Sequence, residues 1–110
     1  MLTFINRTEL QGIVHSVNLT KANGTTVAIL VVCTEYTYRD AKGLPVIETT
    51  WHRVTCLGDR VKGLEEIRKG QVVKVKGRGR DIRYANSNGC DRIIHDTVAE
   101  SLDIIETGKS

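Results

Sequence analysis

Rings and cations that recur side by side are the residues of this 110-residue chain most able to do chemistry. Trp51, the single tryptophan, lies two positions from Arg53; Tyr38 is followed by Arg39, and Arg83 by Tyr84. A ring offers a flat apolar face, and a guanidinium beside it offers a diffuse positive charge. Together they suit a ligand that is flat and anionic, such as a nucleic-acid single strand whose bases stack on rings while its phosphates meet Arg and Lys. A further group carries charge alone. Lys74, Lys76, Arg78 and Arg80 alternate along one segment, so on a strand all four share a face. A solvated or edge-protecting strand face reads the same way, but four like charges repel one another unless a polyanion neutralises them. Trp51 has a second reading as well, a ring buried under a loop or a partner subunit. Three ring–cation pairs on three separate segments favour the stacking surface.

Other chemistries find little support. His15, His52, His95, Cys33, Cys56 and Cys90 are metal-ligating types, but none has the Cys-x-x-Cys or His-x-x-x-His spacing. His52 and Cys56 are four apart on a strand, roughly 13 Å, too far to share a zinc ion. Neither a metal nor another cofactor is expected. There is no nucleophile elbow, phosphate loop or Ser/His/Asp pattern, and Glu65 and Glu66 fall in a segment too short to build a buried acid/base site, so an enzyme is not expected. Cys90 has no assignable role.

These side chains need strands to position them. Residues 48–58 read as a strand with Trp51, Arg53, Thr55 and Leu57 on one face and His52, Val54 and Cys56 on the other, the latter two suited to a core. Ahead of it, residues 4–18 form a first long strand whose apolar phase changes from Leu10 to Ile13 and Val17, which predicts a bulge at Gly12. Asn23 and Gly24 signal a tight turn. Residues 25–34 are apolar on both faces, as in a central strand, and residues 35–45 form a hairpin arm or long loop carrying Tyr36 and Tyr38. Beyond the Trp51 strand, Asp59 can cap a short helix over residues 60–69, with Val61, Leu64 and Ile67 on one side and Gly70 at its end. Residues 71–80 are a strand with Val73 and Val75 opposite the basic stripe. Asn88 and Gly89 turn the chain into a last strand, residues 92–106, that sets Ile94, Val98, Leu102 and Ile104 on one face. The fold class is therefore all-β: a five-stranded Greek-key barrel of the OB type, with one short helix between strands 3 and 4. Residues 1–106 form this one domain and 107–110 a short polar tail.

Composition agrees with a single globular domain: 40% hydrophobic, 26% charged and a formal net charge of +3. There is no secretory leader pattern and no apolar run of about 18 residues, so neither export nor membrane spanning is expected. An odd number of cysteines with no paired spacing fits a reducing compartment, so a cytoplasmic location is expected. Three Asn-x-Thr triplets, at Asn6, Asn18 and Asn23, matter only in a secretory pathway.

Taken in order, Asn6, Leu10 and Gly12, then Asn23 and Gly24, Tyr38 to Asp40, the run Glu48, Thr50, Trp51, His52, Arg53 and Val54, then Lys69 and Gly70, the segment Val75 to Arg78, and finally Arg83, Tyr84 and Gly89 resemble the bacterial single-stranded DNA-binding protein family. The likeness covers roughly residues 4–106, and the Thr-Trp-His-Arg-Val run is its most specific part. It implies an OB fold, no catalytic site, and a homotetramer, with a dimer as the smaller alternative, that coats single-stranded DNA in replication, repair and recombination. Stacking positions carry over to Tyr38, Trp51 and Tyr84, with Leu57 at a fourth position that commonly holds Phe. Arg39, Arg53, Lys74, Lys76, Arg78, Arg80 and Arg83 are the candidate phosphate contacts, and His52 falls where the family has a subunit interface. Members usually continue into a flexible linker with an acidic tip. These residues end at Ser110 with neither, so recruitment of protein partners through such a tip is not expected. The alternatives are a tail-less OB accessory protein of the primosomal type, bridging DNA and replication proteins as a dimer, and an RNA- or protein-binding OB module.

Overall fold

The structure, a computed structural model, describes residues 3–85, 89 and 91–106, with Asp91 and Glu106 described in backbone only. Five strands, β1 (Thr8–Ala22), β2 (Thr25–Arg39), β3 (Pro45–Leu57), β4 (Val72–Ala85) and β5 (Asp91–Glu106), close into a barrel in the order β1-β2-β3-β5-β4. This is the OB architecture expected from the sequence. Closure depends on β1, which serves two neighbours in turn. Its first half, Thr8 to Ile13, pairs with β4, and its second half, from Ile13 onward, pairs with β2. The other seam is short: β3 and β5 run parallel and pair at Val54 with Thr97 and Thr55 with Val98.

The interior is filled by the alternate residues of these strands, among them Leu30, Val32, Val54, Cys56, Val73 and Val75, all with no exposed surface. Burial pushes the Cys56 thiol up to about 11, so it is a packed apolar group at neutral pH. β1 changes phase as the sequence suggests, but at a different residue. Leu10, Gly12 and Val14 face inward; the register slips between Val14 and Ser16, which makes His15 the bulged residue, and Val17 then packs against the core. Gly12 is glycine because a side chain there would collide with the Cys33 carbonyl, not because the strand bulges at it. The last strand departs in the same manner. β5 slips against β4 between Lys76 and Gly77, so Glu100 is skipped and the apolar residues on either side of it do not share a face.

The expected helix over residues 60–69 is instead a loop with one 3₁₀ turn, Leu64–Glu66. Gly63 has φ of 79°, a left-handed value that ends any helix begun at Asp59. The apolar spacing nevertheless reports real contacts: Val61, Leu64 and Ile67 are all buried and join the core cluster as a plug. At 13 to 16 residues the strands are longer than the barrel needs. The surplus forms two arms, one from the far ends of β2 and β3 and one from those of β4 and β5. The β2–β3 arm stays in register to its last pair, Arg39 with Pro45. Its tip is tied by Asp40, whose Oδ1 accepts the Lys42 and Leu44 amides at 2.9 Å each. Asn88 and Cys90, the former assigned to a turn, lie outside the described residues, as does the tail at 107–110.

Candidate nucleic-acid interface

Trp51 stands on the outer face of β3, level with Cys33 on β2 and Ile13 on β1. Strand alternation dictates this, because Val54 and Cys56 on the same strand are core residues. Trp51 is 57% exposed, so no loop among the described residues covers it. The His15 ring packs against it, centroids 4.8 Å apart at 67°, an edge-to-face contact. Arg53 and Leu57 continue the same face, Arg53 exposed and Leu57 half-buried. His52 points the other way, half-buried, with Nε2 hydrogen-bonded to Thr34 Oγ1 at 2.8 Å.

Across the short seam lies Asp96 of β5, whose side chain has no exposed surface. Thr55 of β3 donates to its Oδ2 at 2.7 Å. Arg80 of β4 donates from Nε to Oδ1 at 2.8 Å and from Nη2 to Oδ2 at 3.1 Å. Three strands are thus joined by one carboxylate. Burial alone would push the Asp96 carboxyl up. The hydrogen bonds from Arg80 and Thr55, with the charges of Arg80 and Arg53 nearby, outweigh that and hold it below the usual carboxylate range. Arg80 is raised correspondingly, chiefly by its hydrogen bond to Asp96. A carboxyl lowered on folding adds stability above its unfolded value, about 3.9, and that contribution is lost as pH falls through the lower folded value. Thermal melts between about pH 4 and 2 are therefore expected to fall more steeply for the unaltered chain than for Asp96→Asn; parallel curves would contradict this.

Beyond Arg80 on the same face of β4 comes Tyr84, 47% exposed. Arg83, which precedes it, is on the opposite face with Asp81, so the Arg83 and Tyr84 pair of the sequence is divided between two faces. The basic stripe keeps its phase along β4 but not its charge. Lys74 pairs with Glu9 at 3.2 Å and Arg80 with Asp96, while Lys76 and Arg78 are exposed and form no ion pair among the described residues. The β2–β3 arm divides its own candidates too. Tyr38 shares the phase of Thr34, opposite to Trp51, and stacks obliquely near Tyr36 at 5.9 Å. Glu48 beside it raises the Tyr38 hydroxyl, and Arg39 turns its guanidinium to the Gly43 carbonyl at 2.8 Å. One face therefore gathers Trp51, Arg53, Leu57, Arg80, Arg78 and Tyr84. Tyr38 and Arg83 are not on it.

The sequence reading missed His15, Asp96 and Thr55. His15 was hidden because the phase change of β1 falls at it and not at Gly12. Asp96 did leave a trace, an acid in phase with Ile94 and Val98, where a charge needs a buried partner. Asn6 was noticed only as part of a pattern; its side-chain amide clamps Gly79, donating to the carbonyl at 2.6 Å and accepting from the N–H at 3.0 Å.

Comparison with known proteins places the chain in a family. The pattern of the Single-strand binding protein family matches residues 5–105. The chain belongs to that family. Proteins named single-stranded DNA-binding protein from two strains of Neisseria meningitidis, serogroups A and B, are each 29% identical to it over 85 residues. The match spans 76% of this family member but 48% of either relative, so the chain corresponds to about half the length of the curated proteins it matches. Among solved structures, the Plasmodium falciparum SSB complex with ssDNA superposes with a TM-score of 0.79 at 22% identity, covering 97% of this chain and 98% of that one. A deletion mutant of the single-stranded DNA binding protein from Thermus aquaticus gives 0.78 at 21% identity over 93% of this chain and 51% of its own. At those identities the likeness establishes the fold. No helix of the described residues is long and apolar enough to cross a membrane.

Proposed function

We propose that this chain binds single-stranded DNA, without catalysis and with little sequence preference, by stacking bases on Trp51 and Tyr84 and setting phosphates against Arg53, Arg78 and Arg80. The observation that carries the reading is the exposed Trp51 ring on the same outer face as Arg53, with Tyr84 across the seam. Every base has a π-face, so rings select for unpaired bases rather than for sequence. Family membership supports it, as do the printed names of the Neisseria relatives and the bound single strand in the Plasmodium complex. Coating exposed strands during replication, repair and recombination is the corresponding role, at the nucleoid in the cytoplasm. Tyr38, on the opposite side of its arm, serves a strand that passes round the arm's edge, with Arg39 next to it in sequence. The test is one titration of matched single-stranded DNA, single-stranded RNA and duplex. Single-stranded DNA is expected to bind tightest, and equal or tighter duplex binding contradicts the reading.

The same reading includes a homo-oligomer, most simply a tetramer with two-fold axes. Among the described residues the second half of β1, from Ser16 to Ala22, pairs only with β2, which leaves one edge open to a second copy. Apolar side chains stand exposed beside it, Ile13 and Leu19 among them. His52 belongs to this surface in the proposal. Light scattering at micromolar concentration is expected to give a mass near four times that of the chain, and a monomer would contradict it.

Leu57→Phe offers a smaller check on the face itself. Leu57 shares the outer side with Trp51, so a ring there is expected to tighten binding by up to about 1 kcal/mol, the lower end for one stacked base. Unchanged binding with an unchanged melting temperature would place Leu57 off the strand's path.

A further inference from the structure

A carboxylate in the middle of a surface meant for a polyanion needs a reason to be there. Asp96 lies between Trp51 and Arg53 on one side and Arg80 and Tyr84 on the other, and Trp51, His52, Arg53, His95 and Thr97 line a shallow cleft with it. Its side chain is wholly buried, whereas that of Arg80 is 37% exposed. The pair is side-on: Nε and Nη2 of Arg80 meet the two carboxylate oxygens, and Nη1 is left out of the pair. Thr55 fixes the carboxylate from the far strand, so its orientation is set from β3, β5 and β4 together.

We propose that Asp96 is a positioning residue of the interface, holding the Arg80 guanidinium edge-on so that its outer edge meets one phosphate at a fixed place between Trp51 and Tyr84. The assignment rests on the single-stranded DNA reading above. A free arginine has four rotatable side-chain bonds and must be ordered when a ligand binds. Here that order is supplied by the chain's own hydrogen bonds from Arg80 and Thr55 to Asp96. The carboxylate costs little repulsion, because Arg80 matches its charge, with Arg53 near it. A positioning role and a merely repulsive one predict opposite signs when the carboxylate is removed.

The test compares oligo-dT binding by the unaltered chain, Asp96→Ala, Asp96→Asn, Arg80→Ala and Thr55→Val across salt, with thermal melts alongside. Asp96→Ala is expected to weaken binding about tenfold at moderate salt, the scale for losing one well-placed charge-assisted hydrogen bond. Its salt dependence should at the same time steepen, because the Arg80 charge is no longer balanced. Asp96→Asn keeps one acceptor and is expected to recover part of the loss. Combined with Arg80→Ala, the Asp96 change should weaken binding no further. Thr55→Val alters no charge and decides the matter should Asp96→Ala fail to fold: a loss of about threefold is expected from loosening the carboxylate, and no loss overturns the assignment. Equal or tighter binding by a folded Asp96→Ala overturns it too, leaving Asp96 as a plain negative charge. Absence of binding by the unaltered chain overturns the underlying reading, and this assignment with it.

Discussion

Trp51→Ala is expected to weaken single-stranded DNA binding by about 1–3 kcal/mol, roughly ten- to a hundredfold, while the melting temperature moves by only a few degrees. The separation of the two effects follows from where the ring sits. The ring is exposed, and its ring contact among the described residues is with His15. A tryptophan packed in the core would instead cost about 3–5 kcal/mol of stability on the same change. Because Trp51 is the chain's single tryptophan, its emission reports one site, and stacking against a base should quench it when oligo-dT is added. A variant that binds normally but melts far lower, with no quenching in the parent, would mean that the wrong face of β3 has been given to DNA. A variant whose mass falls while its affinity holds would put Trp51 under a partner subunit instead.

How far the sequence could carry this argument is clear from β3. Period-two alternation across residues 51–57 was enough to turn Trp51, Arg53 and Leu57 outward, because β2 and β3 pair without a slip along their whole shared length. The same rule failed wherever a bulge intervened. One extra residue, His15 on β1 or Glu100 on β5, reverses every side chain after it; the apolar phase announced the first but not its place, and the second not at all. The helix failed for a related reason. Val61, Leu64 and Ile67 recur every third residue, yet three buried apolar contacts do not require helical backbone, and Gly63 takes a left-handed conformation in their midst. Pairs adjacent in sequence misled most. Arg83 beside Tyr84 looks like a ring with its cation, but neighbours on a strand point apart, and only residues two apart or across a ladder share a face. The basic stripe was legible as a stripe. Which of its charges were already balanced was not, since Glu9 and Asp96 lie 65 and 16 positions away from their partners Lys74 and Arg80.

That last distinction sets the second large effect. Exchanging Lys76 and Arg78 together for alanine is expected to reduce single-stranded DNA affinity about 25-fold at roughly 0.1 M salt, because each phosphate neutralised contributes about −0.7 to the slope of log K against log salt, and two such contacts are worth roughly 1.4 log units there. The slope itself should become shallower by about 1.4. Both side chains are exposed, on the face of β4 that continues to Tyr84, and carry no ion pair among the described residues, so their charge is available to phosphates. Lys74 has the same charge and the same phase, but Glu9 already holds its ammonium. Lys74→Ala is accordingly expected to change the slope by much less than about 0.7. The stability of both variants should hold, since exposed lysines and arginines contribute little to it. Parallel salt titrations of the parent, the double variant and Lys74→Ala decide between a surface built for a polyanion and an ordinary solvated one. If the three slopes coincide, β4 is not on the path of the strand, and the phosphates must be met by Arg53 and the β2–β3 arm alone.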